Sequence, residues 1–289
     1  MDKKSKSFFA GIKRLPVQLL AALLTNAHLR GFVTGRIYSG KTKYVCVPGM
    51  NCYSCPAAVG ACPIGAMQAV LNSRKFSFAF YIAGFLSALG VLLGRFICGW
   101  LCVFGLVQEL LYKIPVPKIT IPKRVDKPLR YLKYAVLAIL VILLPTFLTD
   151  EYGTSAPYFC KLLCPVGTLE GGIPLVLLNE GLRKTAGFLF RWKIAILAIV
   201  LLSSVVVYRP FCKYLCPLGA FYALFHKVSF LKLELEREKC VGCGLCERAC
   251  RMDVDIRRST RSAECIRCGA CVKACPKDAL HLKYRIKGG

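Results

Sequence analysis

The sequence predicts a mainly helical membrane bundle followed by a small α+β domain, and three observations support this fold class. Of the 289 residues 56% are apolar and the mean hydropathy is +0.52, more than is usual for a soluble domain. Four apolar runs approach the roughly 20 residues that span a bilayer. After Phe230 the composition changes, and a cysteine-rich segment begins that opens on an alternating, strand-like pattern. We therefore expect a membrane domain at 1–230 and a second domain at 231–289.

The four predicted spans lie at about 15–33, 77–97, 130–148 and 191–208. Thr25, Asn26 and His28 interrupt the first run, so an interfacial helix is the alternative for this segment. A further apolar patch at 167–181 is too short and too rich in Gly and Pro to span a bilayer. It is predicted to be re-entrant and to lie against protein.

The distribution of charge predicts the orientation in the membrane. The chain has 41 Lys and Arg against 15 Asp and Glu, and most of the excess lies in the N-terminus, the loop after the second span and the tail. These parts are expected in the cytoplasm, although the basic loop at 34–76 is an exception. The prediction is a multi-pass protein of the cytoplasmic membrane with a cytoplasmic C-terminal domain. Without a helix-turn-helix or RNA-binding signature, the charge does not indicate a nucleic-acid partner.

The tail carries two cysteine runs of the same spacing, "CVGCGLCERAC" at 240–250 and "CIRCGACVKAC" at 265–275. The spacing Cys-x2-Cys-x2-Cys-x3-Cys is typical of bacterial [4Fe–4S] sites, in which the fourth cysteine of each run reaches the other cluster. The predicted ligands of the first cluster are Cys240, Cys243, Cys246 and Cys275. Those of the second are Cys265, Cys268, Cys271 and Cys250. A pair of zinc knuckles is the less favoured alternative, because both runs are complete.

Three Cys-x3-Cys pairs lie at the ends of apolar segments: Cys98 with Cys102, Cys160 with Cys164, and Cys212 with Cys216. Residues i and i+4 share a helix face. Pro follows the second cysteine of two pairs, which predicts a helix end, a sharp break and a new short helix. The stretch "ACPIGAMQAV" at 61–70 repeats the break and the new helix, so the chain is predicted to contain an internal repeat.

The ten cysteines outside the tail are candidates for further metal sites. Two pairs supply the four thiolates that a cluster needs, and one cluster or metal ion is predicted at Cys98, Cys102, Cys212 and Cys216. The loop at 46–62 is a candidate for another cluster, at Cys46, Cys52, Cys55 and Cys62. Cys160 and Cys164 then form either a redox-active dithiol or a metal site. The alternative for all ten is packing as small buried residues.

With these pairs and the two cysteine runs, the chain resembles the NapH/NosR-type membrane iron–sulfur proteins, and its tail resembles the two-cluster bacterial ferredoxins. The resemblance implies four to six spans, cytoplasmic ferredoxin clusters, and electron passage between quinol and extracytoplasmic acceptors. The chain departs from these patterns at Val103, which stands where Pro follows the other pairs, and at Arg251, which stands where ferredoxins have Pro. Neither position supplies a ligand.

We therefore predict a membrane-bound iron–sulfur electron-transfer protein, a component of an oxidoreductase system. It would relay electrons between cytoplasmic ferredoxin-type clusters and a quinone pool or an extracytoplasmic redox partner. The basic surface favours acidic donors of the ferredoxin or flavodoxin kind. The alternative is a copper-handling, copper-reducing assembly factor, because the chain also resembles the accessory polyferredoxin of cytochrome oxidase maturation and thiolates suit copper.

Overall fold

The computed structural model describes residues 13–71, 77–148 and 155–284, and nearly all of its regular structure before residue 230 is helical. The N-terminal part contains a 3₁₀ turn at Lys41–Tyr44 and six helices. These are α1 (Arg14–Thr25), α2 (Gly31–Thr34), α3 (Pro63–Leu71), α4 (Ser77–Leu93), α5 (Phe96–Trp100) and α6 (Val103–Tyr112).

The central part contains the two longest helical segments of the described residues. The first extends over Lys123–Phe147 and consists of α7 (Lys123–Leu129), α8 (Leu132–Val136), a π-helical stretch (Leu137–Leu143) and α9 (Leu144–Phe147), with a turn at residues 130–131 between α7 and α8. After it come α10 (Tyr158–Leu162), α11 (Pro165–Gly167), a π turn (Thr168–Gly172), α12 (Ile173–Leu178) and α13 (Glu180–Thr185). The second long segment is α14 (Phe188–Val206), which precedes α15 (Pro210–Tyr214) and α16 (Pro217–Leu224).

Two helices in the described residues, Lys123–Phe147 and Phe188–Val206, are long and apolar enough to cross a membrane. They correspond to the third and fourth predicted spans, whereas the first two predicted spans form shorter helices. Helix α1 has 12 residues, because Thr25 and Asn26 end it by donating side-chain hydrogen bonds to Ala21 O (2.8 Å) and Ala22 O (3.1 Å). Helix α4 has 17 residues and begins at the edge of a described range.

The helix breaks at the cysteine pairs are as the sequence predicts. Helix α10 ends at Leu162, Cys164 has an extended backbone, and Pro165 begins α11. The same sequence of events recurs where α15 ends and Pro217 begins α16. Proline suits the first turn of a helix, because its missing N–H would have no intrahelical acceptor there. The new helix predicted after Cys62 is α3.

The C-terminal part is a small α+β unit. Strand β1 (Leu231–Leu235) pairs antiparallel with β2 (Leu280–Tyr284), and Leu233 lies opposite Leu282. A 3₁₀ turn (Arg237–Lys239) and the short helices α17 (Leu245–Arg248) and α18 (Ala270–Lys273) lie between the strands. The strand predicted from the alternating pattern after Phe230 is therefore confirmed.

The small unit packs directly on the helical part, and one apolar core runs through both. Buried Arg95 and Lys133 each form an ion pair with Glu264, at 3.0 and 2.5 Å. Trp100 Nε1 donates to the carbonyl of Arg267 at 3.0 Å. A Cβ atom at Gly99 would lie 2.3 Å from the carbonyl oxygen of Ile266, so this close approach requires glycine.

Candidate iron–sulfur centres

The first candidate centre is a cavity of about 350 Å³ at the outer end of the small unit. Gly242 and Gly244 both have a φ of 72°, a left-handed conformation that glycine adopts without strain and that lets the chain wrap around the cavity. Four cysteines line it, three from the first run and the last one of the second run: Cys240, Cys243, Cys246 and Cys275.

The second candidate centre is a cavity of about 360 Å³ on the side of the small unit that meets the helices. Gly269, with a φ of 78°, supplies the same kind of turn. Its cysteines are the last of the first run and the first three of the second: Cys250, Cys265, Cys268 and Cys271. The fold thus brings together the two crossed sets that the spacing predicts.

The shape of these sites fits a polynuclear cluster better than a single ion. Among the residues that the structure describes, no group of three or more His, Cys, Asp or Glu side chains is arranged to hold one metal ion. The tail sulfurs instead surround a cavity, whereas zinc needs its four ligands about 2.3 Å from one point. Burial raises the pKa of the Cys265 thiol to about 11, so binding of a metal group there must release protons.

The helical part contains a third group of four cysteines, which we term the first membrane site: Cys98, Cys102, Cys212 and Cys216. All four are buried, and their thiols lie close enough to interact electrostatically with one another. The two Cys-x3-Cys pairs that the sequence analysis combined are therefore neighbours in the fold.

A fourth group, which we term the second membrane site, consists of Cys52, Cys62, Cys160 and Cys164. These thiols also interact with one another, and all four residues line a single large cavity. The Cys160 and Cys164 thiols are near neighbours that interact with each other, a proximity that a redox-active dithiol would also need.

The structure places the four cysteines of the predicted loop cluster, Cys46, Cys52, Cys55 and Cys62, in different surroundings. Cys55 packs with Ala57 and Ala58, and its sulfur lies 3.8 Å from Asn26 Oδ1, away from the large cavity. Cys46 lines that cavity but forms a bridge with Ala61 in the loop backbone. The loop winds so that Cys52 and Cys62 meet the pair at 160 and 164, Cys46 also lines the cavity, and Cys55 lies outside it.

The two membrane sites repeat the same hydrogen bonds. Gln108 donates Nε2–H to Cys212 Sγ (3.1 Å) and accepts the Phe211 N–H (3.2 Å). Gln68 donates to Cys160 Sγ (3.4 Å) and accepts the Phe159 N–H (3.0 Å).

The second cysteine of each pair makes a matching contact. Cys216 accepts from the Gly219 N–H and Cys164 from the Gly167 N–H, both at 3.3 Å. The internal repeat is therefore a repeat of the sites as well as of the chain.

Sequence reasoning missed these two glutamines. Gln68 follows Cys62 by six residues, and Gln108 follows Cys102 by six. Alignment of the two repeats on their cysteines would have revealed them.

Buried positive charge surrounds the first membrane site. Arg95 and Arg209 have no exposed surface. Arg209 donates from Nη1 to the Cys98 carbonyl (2.5 Å) and pairs with Glu109 at 3.0 Å. Glu109 also contacts Arg14 and the hydroxyl of Tyr208.

Met50 connects the two membrane sites. The residue before it, Gly49, lies against the Cys102 backbone, since a Cβ atom there would be 3.0 Å from Cys102 Cα, and Met50 itself lines the cavity of the second membrane site. Cys52 is only two residues further along the chain, and two residues span at most about 7 Å. The two sites are therefore near neighbours inside the helical part.

Comparison with known proteins agrees with this geometry. A family model described as a 4Fe-4S binding domain matches residues 60–80, 78–122, 134–173 and 188–236, more than half of the chain. A 4Fe-4S dicluster domain matches residues 232–276. The chain belongs to the family of 4Fe–4S binding proteins.

The relatives of this 4Fe–4S protein include an uncharacterized protein of Methanocaldococcus jannaschii, 33% identical over 207 residues, which are 69% of this chain and 76% of the relative. YccM of Escherichia coli, named as an electron transport protein, is 27% identical over 61% of the chain and 47% of its own length. The regulatory protein NosR of Pseudomonas aeruginosa is 30% identical over 59% of the chain and 22% of its own length. The resemblance to NosR/NapH-type membrane iron–sulfur proteins is confirmed, and the match covers less than half of YccM and of NosR. No solved structure matches the chain.

Proposed function

We propose that this 4Fe–4S protein relays electrons between its C-terminal domain and the interior of its membrane domain. Two clusters are held in the tail, the first by Cys240, Cys243, Cys246 and Cys275 and the second by Cys250, Cys265, Cys268 and Cys271. A third is held by the first membrane site. A bound [4Fe–4S] cluster supplies a one-electron carrier whose potential depends on charge, hydrogen bonds to sulfur and exposure.

The observation that carries this proposal is the docking of the second tail cavity on the first membrane site. Cys98 precedes Gly99 and Cys265 precedes Ile266, and the Gly99 backbone touches the Ile266 carbonyl. One layer of backbone therefore separates the two groups of cysteines. Carriers in the two groups would exchange electrons without any domain movement.

The surroundings of the first membrane site suit a cluster. Burial of four thiolates has a large unfavourable free energy unless positive charge lies near them. Arg95 and Arg209 supply that charge from fixed positions, because each is held by a carboxylate, Glu264 and Glu109.

We propose that the membrane domain has four spans, formed by Lys123–Phe147, Phe188–Val206 and the segments around α1 and α4, with the tail in the cytoplasm. The basic loops support this orientation. The cytoplasmic partner would be an acidic carrier such as a ferredoxin or flavodoxin, attracted by the net charge of +26.

The other electron partner, a quinone or an extracytoplasmic redox protein, would bind at the large cavity beside the second membrane site. This cavity has about 1750 Å³ of empty space, about five times the volume of either tail cavity. Leu175 and Val166 supply apolar walls, and Lys43 and Lys193 supply positive charge.

Cluster counting tests the proposal. Iron, acid-labile sulfide and copper are measured on anaerobically purified protein and on the Cys212→Ser, Cys216→Ser double variant, with EPR after dithionite reduction. The variant is expected to lose about four irons and to retain the two tail signals, because its tail ligands are unchanged. An unchanged iron content would contradict the membrane relay, and stoichiometric copper in the parent would favour a copper-handling role.

A further inference from the structure

We infer that the second membrane site, Cys52, Cys62, Cys160 and Cys164, binds a fourth [4Fe–4S] cluster. This inference goes beyond the proposed function, which requires a carrier only at the first membrane site. It assigns four cysteines that the sequence divides between a loop and a helix pair more than 90 residues apart.

The first argument is that the two membrane sites are built alike. In each site a glutamine lies six residues after a cysteine, Gln68 after Cys62 and Gln108 after Cys102. Its amide N–H donates to the sulfur of the first cysteine in the Cys-x3-Cys pair, Cys160 or Cys212. Its amide oxygen accepts the backbone N–H of the phenylalanine just before that cysteine. In each, the second sulfur of the pair accepts a glycine N–H at 3.3 Å. Backbone and amide N–H groups directed at sulfur favour its thiolate form, which is the form that ligates metal.

The correspondence extends to the remaining cysteine of each helix start. Cys102 and Cys62 each stand immediately before a new helix and three residues before a glycine, Gly105 and Gly65. Three of the four ligands thus occupy equivalent places in the two repeats. A site that only had to pack small residues would not need the same polar contacts twice.

The fourth ligand identifies which loop cysteine takes part. By sequence alignment of the repeats, the equivalent of Cys98 would be Ala58, which cannot ligate metal. The fold supplies Cys52 instead, whose sulfur is 4.0 Å from the Gly167 carbonyl, beside the glycine whose N–H bonds Cys164. Cys55 does not line the cavity, and its sulfur lies 3.8 Å from Asn26 Oδ1.

The size and openness of the cavity are compatible with a cluster as well as a further ligand. Each tail cavity, lined by four cysteines, has about 350 Å³ of empty space. The cavity at the second membrane site has about 1750 Å³. A cluster held by the four cysteines would therefore leave part of this space open.

The test compares two single variants, Cys52→Ser and its matched control Cys55→Ser, with the double variant Cys160→Ser, Cys164→Ser. Iron, sulfide and EPR are measured on each protein as isolated from the membrane. The parent is expected to contain about sixteen irons, and the double variant about twelve. Cys55→Ser should retain all of them. Cys52→Ser should lose or alter the same EPR signal that the double variant loses.

Accessibility of the thiols provides a second readout that does not depend on iron. Cys160 and Cys164 should resist maleimide in the anaerobic parent and react after the clusters are destroyed with acid and chelator. A parent with about twelve irons, and a Cys160–Cys164 pair that reacts only after dithiothreitol, would overturn the inference in favour of a dithiol. Loss of the tail signals would identify a misfolded variant. In that case the test uses Gln68→Leu, which keeps all four cysteines. If Gln68→Leu has the same EPR spectrum as the parent, the inference is overturned.

The test separates this inference from the proposed function. If the second membrane site binds no cluster, the proposal for the first membrane site is unaffected, and the Cys212→Ser, Cys216→Ser variant still loses iron. If that variant loses no iron while the Cys160→Ser, Cys164→Ser variant does, the proposed relay fails and the second membrane site stands.

Discussion

At the scale of single residues, the two buried glutamines are the side chains that most directly control the membrane sites. Each uses its amide in both directions, donating to a sulfur and accepting from the backbone just before it. Partners of this kind orient the ligand and alter its basicity. Because a hydrogen bond to sulfur stabilises the reduced and more negative state, these glutamines should raise the potential of any cluster bound there.

Gln108→Leu is therefore expected to lower the midpoint potential of the cluster at the first membrane site while its iron content is kept. Loss of one hydrogen bond, at about 1.4 kcal/mol, corresponds to about 60 mV for one electron. Redox titration followed by EPR measures the shift. Gln68→Leu is the matched control and should leave this potential unchanged, and an equal effect of both variants on it would contradict a local role.

At the scale of elements, the attachment of the small unit to the helices depends on a buried group of charges. Glu264 on the small unit meets Arg95 after α4 and Lys133 in α8. Burial alone would raise the pKa of Glu264, but Arg95 and Lys133 lower it below its ordinary value of 4.5. The carboxylate therefore stays ionised at neutral pH. Removal of one member of such a group leaves the others buried without compensation.

Glu264→Gln is expected to weaken this attachment by about 3 kcal/mol. Limited proteolysis between the membrane domain and the tail should become faster. The tail clusters should also reduce the membrane cluster more slowly in stopped-flow experiments. Glu238→Gln is the control, because Glu238 is exposed. Equal proteolysis rates for the two variants would show that Glu264 does not hold the units together.

At the scale of the whole molecule, the two membrane sites differ in their electrostatic surroundings although their ligands are alike. The first has Arg95 and Lys133 with Glu264 on one side, and Arg14 and Arg209 with Glu109 on another. Each of these groups has one more cation than anions. The second has half-buried Glu170, whose Oε2 accepts the Cys52 N–H at 2.7 Å and whose Oε1 has no hydrogen-bond partner, and two cations, Lys43 and Lys193, that line its cavity.

This asymmetry predicts that the cluster at the first membrane site has the higher potential of the two, because nearby positive charge stabilises the reduced form. Reductive titration of the two double variants, each lacking one membrane site, separates the two signals. An equal or reversed order of potentials would show that the buried arginines do not set the order. Cys55→Ser is the control and should retain both signals at their parental potentials.

The sequence by itself determined the parts of this protein that depend on nearby residues. The two tail sets follow from spacings of two and three residues, which leave a chain few ways to wrap around a cluster. The helix breaks follow from Pro165 and Pro217, which act on their own backbone. Strand β1 follows from its alternating pattern.

Only the tertiary structure decided which of the remaining ten cysteines meet. Cys98 joins Cys212, and Cys52 joins Cys164, across more than 100 residues. Spacing along the chain places no constraint on such distant pairs, so the loop cysteines look alike in sequence. Their difference arises from packing, which places the Cys52 sulfur in the large cavity beside Gly167 and the Cys55 sulfur outside that cavity beside Asn26. The second membrane site exists because folding brings these segments together, and no local pattern specifies it.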